Sequence, residues 1–504
     1  MFLVSAFSAL SLAAPFLFPL LWALAWIAFV PLFWVMDRVK SLRKALFWGW
    51  LTGFLAHLVG FHWLVYTISV FGGFSYPISS FVFLIYAGLQ ALQMALFALL
   101  VRRFGLGPLR LFPPLFWVAL EFWFPFLFPW YLANSQSSVL TFIQSADLVG
   151  PYGASFLIMW FNAAFYALLS EAKQNRPVYW MPVALVFALV VGSAVYGFFR
   201  LQQVKGAIAV APKLRVSAIQ GNIDVDLKWN PERMKSNLNA YQSLTANADG
   251  APLVVWPETA IEEWVPEDIQ RLPAEYMPRL ESDSSFFIFG AKSFRGKPGG
   301  RNFKAFNTAF LTDAQGRVLD RYHKQVLLAF GEYIPFTAIL SKLPAMPFSD
   351  AFTAGEGPHT LDLHTGSKIA PLICYEDLIP GLSRRFVKET HANILVNLTN
   401  DAWYGKSVAP WQHARLAQWR AIETRRSLLR ATNTGVTTLI NAKGEIGEAL
   451  PIFTPGVLTA QVDVLEGETL YVRFGDWFAW SATLISIAVI LIRWKRRNAE
   501  RCEL

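Results

Sequence analysis

Residues 370–377 read APLICYED, a short apolar run that ends at Cys374. Such a run is typical of a buried β-strand, and a strand end is where a side chain can leave the core and enter a cleft. A thiol with a pKa of about 8.5 is only a few per cent ionised at neutral pH, so a nucleophilic cysteine here needs a neighbouring base or cation. The plainer interpretation of Cys374 is a small packed core residue.

Two further polar residues each close an apolar stretch in the same half of the chain. Glu258 lies in LVVWPETA at 253–260, and Lys324 lies in RYHKQVLLAFGEYIPF at 321–336. A carboxylate can take the proton of a thiol, and an ammonium can stabilise the oxyanion of a tetrahedral intermediate. Taken singly, Glu258 could be a helix N-terminal acid and Lys324 a solvated surface charge. Together with Cys374 they predict an acyl-transfer site.

The segment around these residues, 213–470, has the charge density and the short alternating elements of a globular α/β or α+β domain. Strands are predicted at 214–219, 253–256, 286–290, 308–311, 369–373, 394–398 and 436–440, and amphipathic helices at 231–245 and 411–426. The sequence contains no internal repeat and no phosphate-binding loop of the Walker or dinucleotide type.

The rest of the chain has the composition of a membrane protein. The sequence is 54% hydrophobic and only 16% charged, against about 25% charged in a typical globular domain. Stretches long enough to cross ~30 Å of hydrocarbon are predicted at 17–36, 45–66, 78–101, 111–130, 151–170, 179–199 and 477–492, and a shorter one at 2–14 makes eight. We therefore expect four parts: a seven-helix transmembrane domain at 1–200, the globular domain at 213–470, a closing helix at 474–493 and a basic tail at 494–504. A cleaved signal peptide is not expected, because the chain begins without basic residues and further spans follow directly.

Basic residues predict the orientation in the membrane. They cluster at 38–44, 102–110, 173–176 and 493–501, whereas the loops at 71–76 and 131–150 contain a single charged residue, Asp147. Basic loops are cytoplasmic under the positive-inside rule. They alternate correctly only if both termini are cytoplasmic and 200–476 lies outside, in the periplasm of a Gram-negative cell. The net charge of +9 follows mostly from these loops, so no nucleic-acid partner is expected. Cys502 would then lie across the membrane from Cys374, and no disulfide is expected.

The order Glu, Lys, Cys, each closing a strand, resembles the nitrilase superfamily of carbon–nitrogen hydrolases. The local sequences resemble one of its families more closely, the bacterial apolipoprotein N-acyltransferases. The matching motifs are QGNIDVDLKWN at 220–230, WPETA at 256–260, HKQVLLAFGEYIPF at 323–336, ICYED at 373–377 and NLTNDAWYGKSVAPWQH at 397–413. The arrangement of spans matches as well, so the resemblance covers essentially the whole chain. It implies a polytopic α-helical membrane domain joined to a nitrilase-like αββα sandwich.

The resemblance also implies roles for individual residues. Glu258 would be the general base, Lys324 the oxyanion-stabilising residue and Cys374 the acylated nucleophile. Glu332 would orient the lysine. Five more residues would support the cleft or line substrate pockets: Trp229, Tyr375, Glu376, Asn400 and Trp403.

The implied reaction is a two-step acyl transfer that needs no cofactor and no metal. An acyl chain leaves a phospholipid, with phosphatidylethanolamine the expected donor, and forms a thioester on Cys374. It then passes to the α-amine of the N-terminal diacylglyceryl-cysteine of a lipoprotein, the last step of lipoprotein maturation. Each CH₂ held in hydrocarbon contributes ~0.8 kcal/mol, so a membrane-embedded enzyme suits both substrates. The seven histidines form no ligand-spaced cluster that would predict a metal site.

Two other functions stay open at this level. A membrane-tethered nitrilase-like amidase would use the same three residues, with water as the final acceptor. A transporter with a periplasmic regulatory domain is a different class, although the spans show no inverted repeat. The apolar segment 326–348 could be a lid that enters the outer leaflet or a core segment under a long loop.

Overall fold

The structure is a computed structural model that describes residues 1–502 except 249, 281, 299, 301 and 334–351. It divides into two compact units. The first comprises Met1–Val65, Tyr76–Gln202 and Phe474–Leu504, and the second comprises Tyr66–Ser75 and Gln203–Arg473.

The first unit is helical. Its α-helices, two of which run on into the second unit, are α1 (Phe2–Leu17), α2 (Val30–Arg38), α3 (Leu42–Gly60), α4 (Leu64–Gly72), α5 (Tyr76–Gln90), α6 (Leu92–Phe104), α7 (Phe112–Trp123), α8 (Leu140–Ile143), α9 (Ala146–Val149), α10 (Pro151–Lys173), α11 (Met181–Val210) and the closing helix Trp477–Cys502. Short 3₁₀ helices lie at Pro19–Trp26, Pro108–Arg110 and Leu132–Gln136.

Most of the predicted spans correspond to helices of membrane-crossing length. Among the described residues these are Pro19–Arg38, Tyr76–Phe104, Pro151–Lys173, Met181–Val210 and Trp477–Arg496, and α3 with α4 makes a sixth that is bent by 68°. The predicted span at 2–14 is helix α1. The one at 111–130 is helical only in α7, because Phe124 precedes Pro125 and takes an extended conformation. A polytopic helical region is therefore confirmed, and the predicted eight helices agree approximately.

The second unit contains two mixed β-sheets. The strands are β1 (Lys213–Gln220), β2 (Leu253–Val255), β3 (Ile261–Pro266), β4 (Phe286–Arg295), β5 (Lys304–Asp313), β6 (Val318–His323), β7 (Leu361–Asp362), β8 (Lys368–Ile373), β9 (Ile394–Thr399), β10 (Ser427–Thr432), β11 (Thr438–Ile440), β12 (Ile446–Ala449) and β13 (Gly456–Asp463). The first sheet has the order β13-β1-β2-β4-β5-β6, with β3 beside β4, and the second has the order β12-β11-β10-β9-β8-β7. The helices of this unit are α12 (Met234–Thr245), α13 (Pro380–Thr390), α14 (Ala409–Thr424) and α15 (Leu470–Phe474).

The two sheets share one core. Because side chains alternate along a strand, Leu253 and Val255 of β2 pack in one buried cluster with the second sheet, whereas Val254 packs in another with Leu238 and Tyr241 of α12. Residues of α13 and α14 join the cluster that contains the second sheet. The four layers of the predicted αββα sandwich are therefore present.

Strand direction explains why two of the three polar residues lie at one edge of the first sheet. In the first sheet β2 is parallel to β4, and β6 runs the same way because β5 is antiparallel to both of its neighbours. In the second sheet β8, β9 and β10 are parallel. The carboxyl ends of parallel strands lie at one edge of a sheet. Glu258 and Lys324 follow the ends of β2 and β6 in the first sheet, and Cys374 follows the end of β8 in the second, each at a strand end as the sequence predicted.

Candidate active site

Lys324 lies between two glutamates. Its Nζ is 2.7 Å from Glu332 Oε2 and 3.9 Å from Glu258 Oε1, and the lysine is 1% exposed. Asn307 Nδ2 donates hydrogen bonds to Glu258 Oε1 at 2.8 Å and to Glu332 Oε1 at 3.0 Å. One amide thus contacts both carboxylates around the ammonium, and the orienting role that the resemblance implies for Glu332 stays a prediction.

A glycine allows Glu258 to reach this position. The loop that carries Glu258 passes directly over Gly290 of β4, where an added Cβ would lie 2.7 Å from the Glu258 Cα and 2.5 Å from the Thr259 nitrogen. The Gly290 N–H donates to the Pro257 carbonyl at 3.2 Å. Any side chain at this position would push Glu258 away from Lys324. An isolated glycine in an apolar strand is a sign of such close backbone approach.

Cys374 is the first residue of a 3₁₀ turn, Cys374–Leu378, that begins where β8 ends. Its φ of +52° is unusual for a residue with a side chain. The Cys374 carbonyl accepts a hydrogen bond from Asn397 Nδ2 at 3.0 Å, which holds the turn against β9. Thr259 and Trp229 also have positive φ values, +48° and +72°. Strained backbone of this kind persists where the surrounding structure fixes it, and it is frequent at active sites.

Burial is the main influence on the charges of this cluster. It raises the pKa of the Glu258 carboxyl, and the Lys324 ammonium opposes that rise only in part. Burial and the charge of Glu258 hold the pKa of the Cys374 thiol well above its ordinary value. Burial alone would lower the pKa of Lys324, but the negative charges around it, Glu332 first, raise it instead. The site therefore combines a neutral thiol, a charged ammonium and a carboxylate that is unusually basic for its type.

Glu376 supports the cysteine turn and the lysine at once. It is fully buried, and Oε1 accepts hydrogen bonds from the N–H groups of Gln325 at 2.7 Å and Val326 at 3.0 Å. Oε2 accepts one from the Ile373 N–H at 2.8 Å. Burial raises the pKa of this carboxyl to about 7. Glu376 therefore holds the segments on either side of it, and the role in substrate pockets that the resemblance implies stays a prediction. Tyr375, the residue after Cys374, is buried as well.

Trp229 is fixed on both sides. Its backbone N–H donates to Glu262 Oε2 at 3.0 Å, and the Lys292 ammonium lies 3.8 Å from the centre of its indole ring. Lys228, the preceding residue, is buried and donates to the carbonyl of Glu258 at 3.3 Å. The loop that carries Trp229 and the loop that carries Glu258 are therefore connected.

Asn400 caps the 3₁₀ turn Asp401–Tyr404, which follows β9 and contains Trp403. Asn400 Oδ1 accepts from the Ala402 N–H at 3.3 Å and from Asn433 Nδ2 at 3.0 Å. The Trp403 ring meets the edge of Phe71, with ring centres 4.7 Å apart. Phe71 comes from 66–75, the stretch of α4 and the following residues that belongs to the second unit.

Only the start of the proposed lid is described. The described part is 326–333, two positions after Lys324, and within it the Leu328 N–H donates to Glu332 Oε2 at 2.9 Å. Phe330 is 53% exposed. The remainder of the lid hypothesis, 334–348, lies outside the described residues.

Four buried charged residues that the sequence did not single out join the cysteine turn to the Trp403 turn. His413 Nε2 is 2.7 Å from Asp377 Oδ1, and His413 Nδ1 is 2.9 Å from Asp401 Oδ1. Arg430 pairs with Asp377 and lies 3.5 Å from Asp401 Oδ2. Since both imidazole nitrogens face carboxylates, His413 is doubly protonated here. These residues form a charge ring, Asp377–His413–Asp401–Arg430, with two positive and two negative members.

His413→Gln is expected to lower the free energy of unfolding by about 3 kcal/mol, because it leaves two buried carboxylates facing one guanidinium. Burial alone would lower the pKa of His413, but the ring carboxylates raise it to about 9 from 6.5. The stability that this charge contributes is therefore complete below pH 6.5 and is lost as the pH rises through about 9. Thermal unfolding in detergent at several pH values measures both effects.

The double variant His413→Gln with Asp401→Asn is the matched control, since it restores the charge balance of the ring. It should recover more than half of the lost stability. If the losses in the free energy of unfolding caused by the two single substitutions simply added in the double variant, the charge ring would be contradicted.

Comparison with known proteins identifies the family. Residues 8–164 match the apolipoprotein N-acyltransferase N-terminal domain, and residues 215–470 match the carbon-nitrogen hydrolase family. An apolipoprotein N-acyltransferase of Geobacter metallireducens is 35% identical over 99% of this chain and 96% of its own length. Proteins of the same name from Azotobacter vinelandii and Pseudomonas paraeruginosa are 34% and 32% identical over 98% and 96% of this chain, and over 95% and 94% of their own lengths. The chain therefore belongs to the apolipoprotein N-acyltransferase family.

Proposed function

We propose that this protein transfers a fatty acyl chain from a phospholipid, through a thioester on Cys374, to the α-amine of the N-terminal diacylglyceryl-cysteine of lipoproteins. The observation that carries the proposal is the Lys324 ammonium, bonded to Glu332 and close to Glu258, with the charges of Lys324 and Glu258 both acting on the Cys374 thiol. The names of the full-length relatives support the acceptor.

In the first step Glu258 takes the proton of the Cys374 thiol, and the thiolate attacks the ester carbonyl of the donor. The carbonyl oxygen becomes an oxyanion, which the Lys324 ammonium stabilises. Collapse of this intermediate breaks the bond to the glycerol oxygen. That oxygen takes the proton from Glu258 and leaves as the hydroxyl of a lysophospholipid, and the acyl chain remains on sulfur.

In the second step the acceptor amine attacks the thioester carbonyl. Glu258 takes a proton from the attacking nitrogen, and Lys324 again stabilises the oxyanion. Breakage of the carbon–sulfur bond releases the amide, and the proton on Glu258 returns to sulfur. Each residue ends in its starting state, so a single base serves both steps.

The membrane arrangement forms part of the proposal. We infer an inner-membrane protein with transmembrane residues 1–200, a periplasmic catalytic domain at 213–470, a closing helix at 474–493 and a cytoplasmic tail at 494–504. The basic clusters in alternate loops support this orientation. Acyl donors in the outer leaflet, with phosphatidylethanolamine the expected one, would then be on the same side as Cys374.

Trapping the acyl-enzyme tests the proposal directly. Purified protein is given phosphatidylethanolamine with a tagged acyl chain, and then a diacylated lipopeptide. The wild type should gain a hydroxylamine-labile tag that moves to the peptide amine, and Cys374→Ala should lose at least about a thousandfold in tag. Cys502→Ala is the matched control, because it removes the other cysteine and should label normally.

The same assay separates the amidase alternative. Release of the tag as free fatty acid, with none on the peptide, would mean that water is the acceptor. No tag from any phospholipid would mean that the domain acts on another substrate.

A further inference from the structure

A groove of about 900 Å³ lies in the first unit, between the start of α1, helix α2 and the last turns of α10. One part of its lining is apolar, from residues that include Leu3, Phe7 and Leu169. These side chains are 80%, 52% and 45% exposed. In a membrane helix, exposed apolar side chains of this kind face hydrocarbon, so an acyl chain fits this part of the groove.

The other part of the lining carries charge. Asp37, Arg38 and Lys173 come from the carboxyl ends of α2 and α10. The Asp37 carboxylate accepts a hydrogen bond from the hydroxyl of Tyr166. The Arg38 guanidinium lies 3.6 Å from the ring centre of Trp34 and donates to the Trp34 carbonyl at 3.2 Å. Among the described residues no carboxylate forms an ion pair with Arg38 or Lys173. The lining therefore has two cations without a carboxylate partner, and its one anion, Asp37, already accepts a hydrogen bond from Tyr166.

We propose that this groove binds one molecule of an anionic phospholipid, with an acyl chain along Leu3, Phe7 and Leu169 and the phosphate held by Arg38 and Lys173. Basic pockets between transmembrane helices are known to recognise anionic headgroups. An indole-stacked guanidinium is well suited to phosphate, because the ring fixes one face and leaves the edge donors available. The proposal rests on the membrane location of the first unit and not on the chemistry of Cys374.

The plainer explanation is that Arg38 and Lys173 only anchor loops at the membrane surface, as basic residues near helix ends do. The chain contains a matched pair that separates the two explanations. Arg43 and Lys44 belong to the same basic cluster, lie in the first turn of α3 and do not line the groove. Both pairs attract anionic membranes in general, but only Arg38 and Lys173 can hold one lipid in the groove.

Native mass spectrometry of the full-length protein tests the proposal, with equal amounts of phosphatidylglycerol and phosphatidylethanolamine added in detergent. The wild type should retain one phosphatidylglycerol. Arg38→Gln with Lys173→Gln should weaken its binding about 30-fold, since each basic residue near a lipid contributes a factor of about five. Arg43→Gln with Lys44→Gln should retain it, and Leu169→Trp, which fills the apolar part, should lose it with all charges present.

Each contrary result overturns the proposal. Equal losses in the two charge pairs would mean general surface attraction, and retention by Leu169→Trp would mean that the lipid binds elsewhere. Equal retention of phosphatidylethanolamine by the wild type would remove the preference for an anionic lipid. Thermal unfolding and gel filtration of each variant ensure that a lost lipid does not reflect a lost fold.

Discussion

Glu258→Gln should slow acyl-enzyme formation by about 100- to 10,000-fold, the range that a general base contributes. The amide keeps the size of the side chain and can still contact Lys324, but it cannot accept a proton. The proposed mechanism depends on this base because the pKa of the Cys374 thiol is held well above its ordinary value, so little thiolate forms without help. Single-turnover labelling with tagged phosphatidylethanolamine measures the step.

The pH profile adds a second test of the same residue. Burial raises the pKa of Glu258, so the wild-type rate should fall, as the pH decreases, at a higher pH than for an ordinary glutamate. This acidic limb should be absent in Glu258→Gln. Glu263→Gln, in the neighbouring strand β3, is the matched control and should keep both the rate and the limb. A normal rate in Glu258→Gln would exclude Glu258 as the base.

The sequence alone was sufficient to predict which polar residues follow the ends of strands. Glu258, Lys324 and Cys374 each follow an apolar run, and the runs proved to be β2, β6 and β8. Apolar runs with polar residues after them are local patterns, and their meaning depends on only a few neighbouring positions. The direction of the strands then brings Glu258 and Lys324 to one edge of the first sheet, whereas Cys374 joins them through the packing of the second sheet, which no local pattern predicts.

Residues that reach the candidate site through the pairing of strands far apart in the sequence could not be predicted from such local patterns. Asn307 lies within β5, which is antiparallel to β6, and the N–H of Lys324, the residue after β6, donates to the Asn307 carbonyl at 2.9 Å. This pairing places the Asn307 amide beside both glutamates. The charge ring combines Asp377, His413 and Arg430 from separate elements, and no local pattern relates them. Gly290 did leave a signal, an isolated glycine in an apolar strand, but what it faces depends on the fold.

Hydropathy found the membrane helices but not their breaks. Residues 45–66 read as one span, whereas α3 ends at Gly60 and the chain bends by 68° before α4. Average hydropathy is insensitive to such a bend, because the residues on either side are equally apolar. The bend matters for the site, since it precedes Phe71, the ring that contacts Trp403.

Lys324→Met should reduce acyl-enzyme formation by about 100- to 1,000-fold, the cost of losing one oxyanion donor. It should also lower the free energy of unfolding by about 3 kcal/mol, because Glu258 and Glu332 are left as two buried carboxylates around one amide. Loss of the cation raises the pKa of Glu258 further, so the acidic limb of the rate should move to higher pH. Single-turnover labelling and thermal unfolding measure these effects separately.

A double variant distinguishes catalysis by Lys324 from support of the fold. Lys324→Met with Glu332→Gln removes the ion pair at 2.7 Å as a whole, and replacing both charges of a buried pair costs far less stability than removing one. The double variant should therefore regain most of the stability but none of the rate, since no donor faces the oxyanion. If the rate returned together with the stability, Lys324 would serve only the fold, and the oxyanion would have to be stabilised by the backbone N–H groups of the cysteine turn.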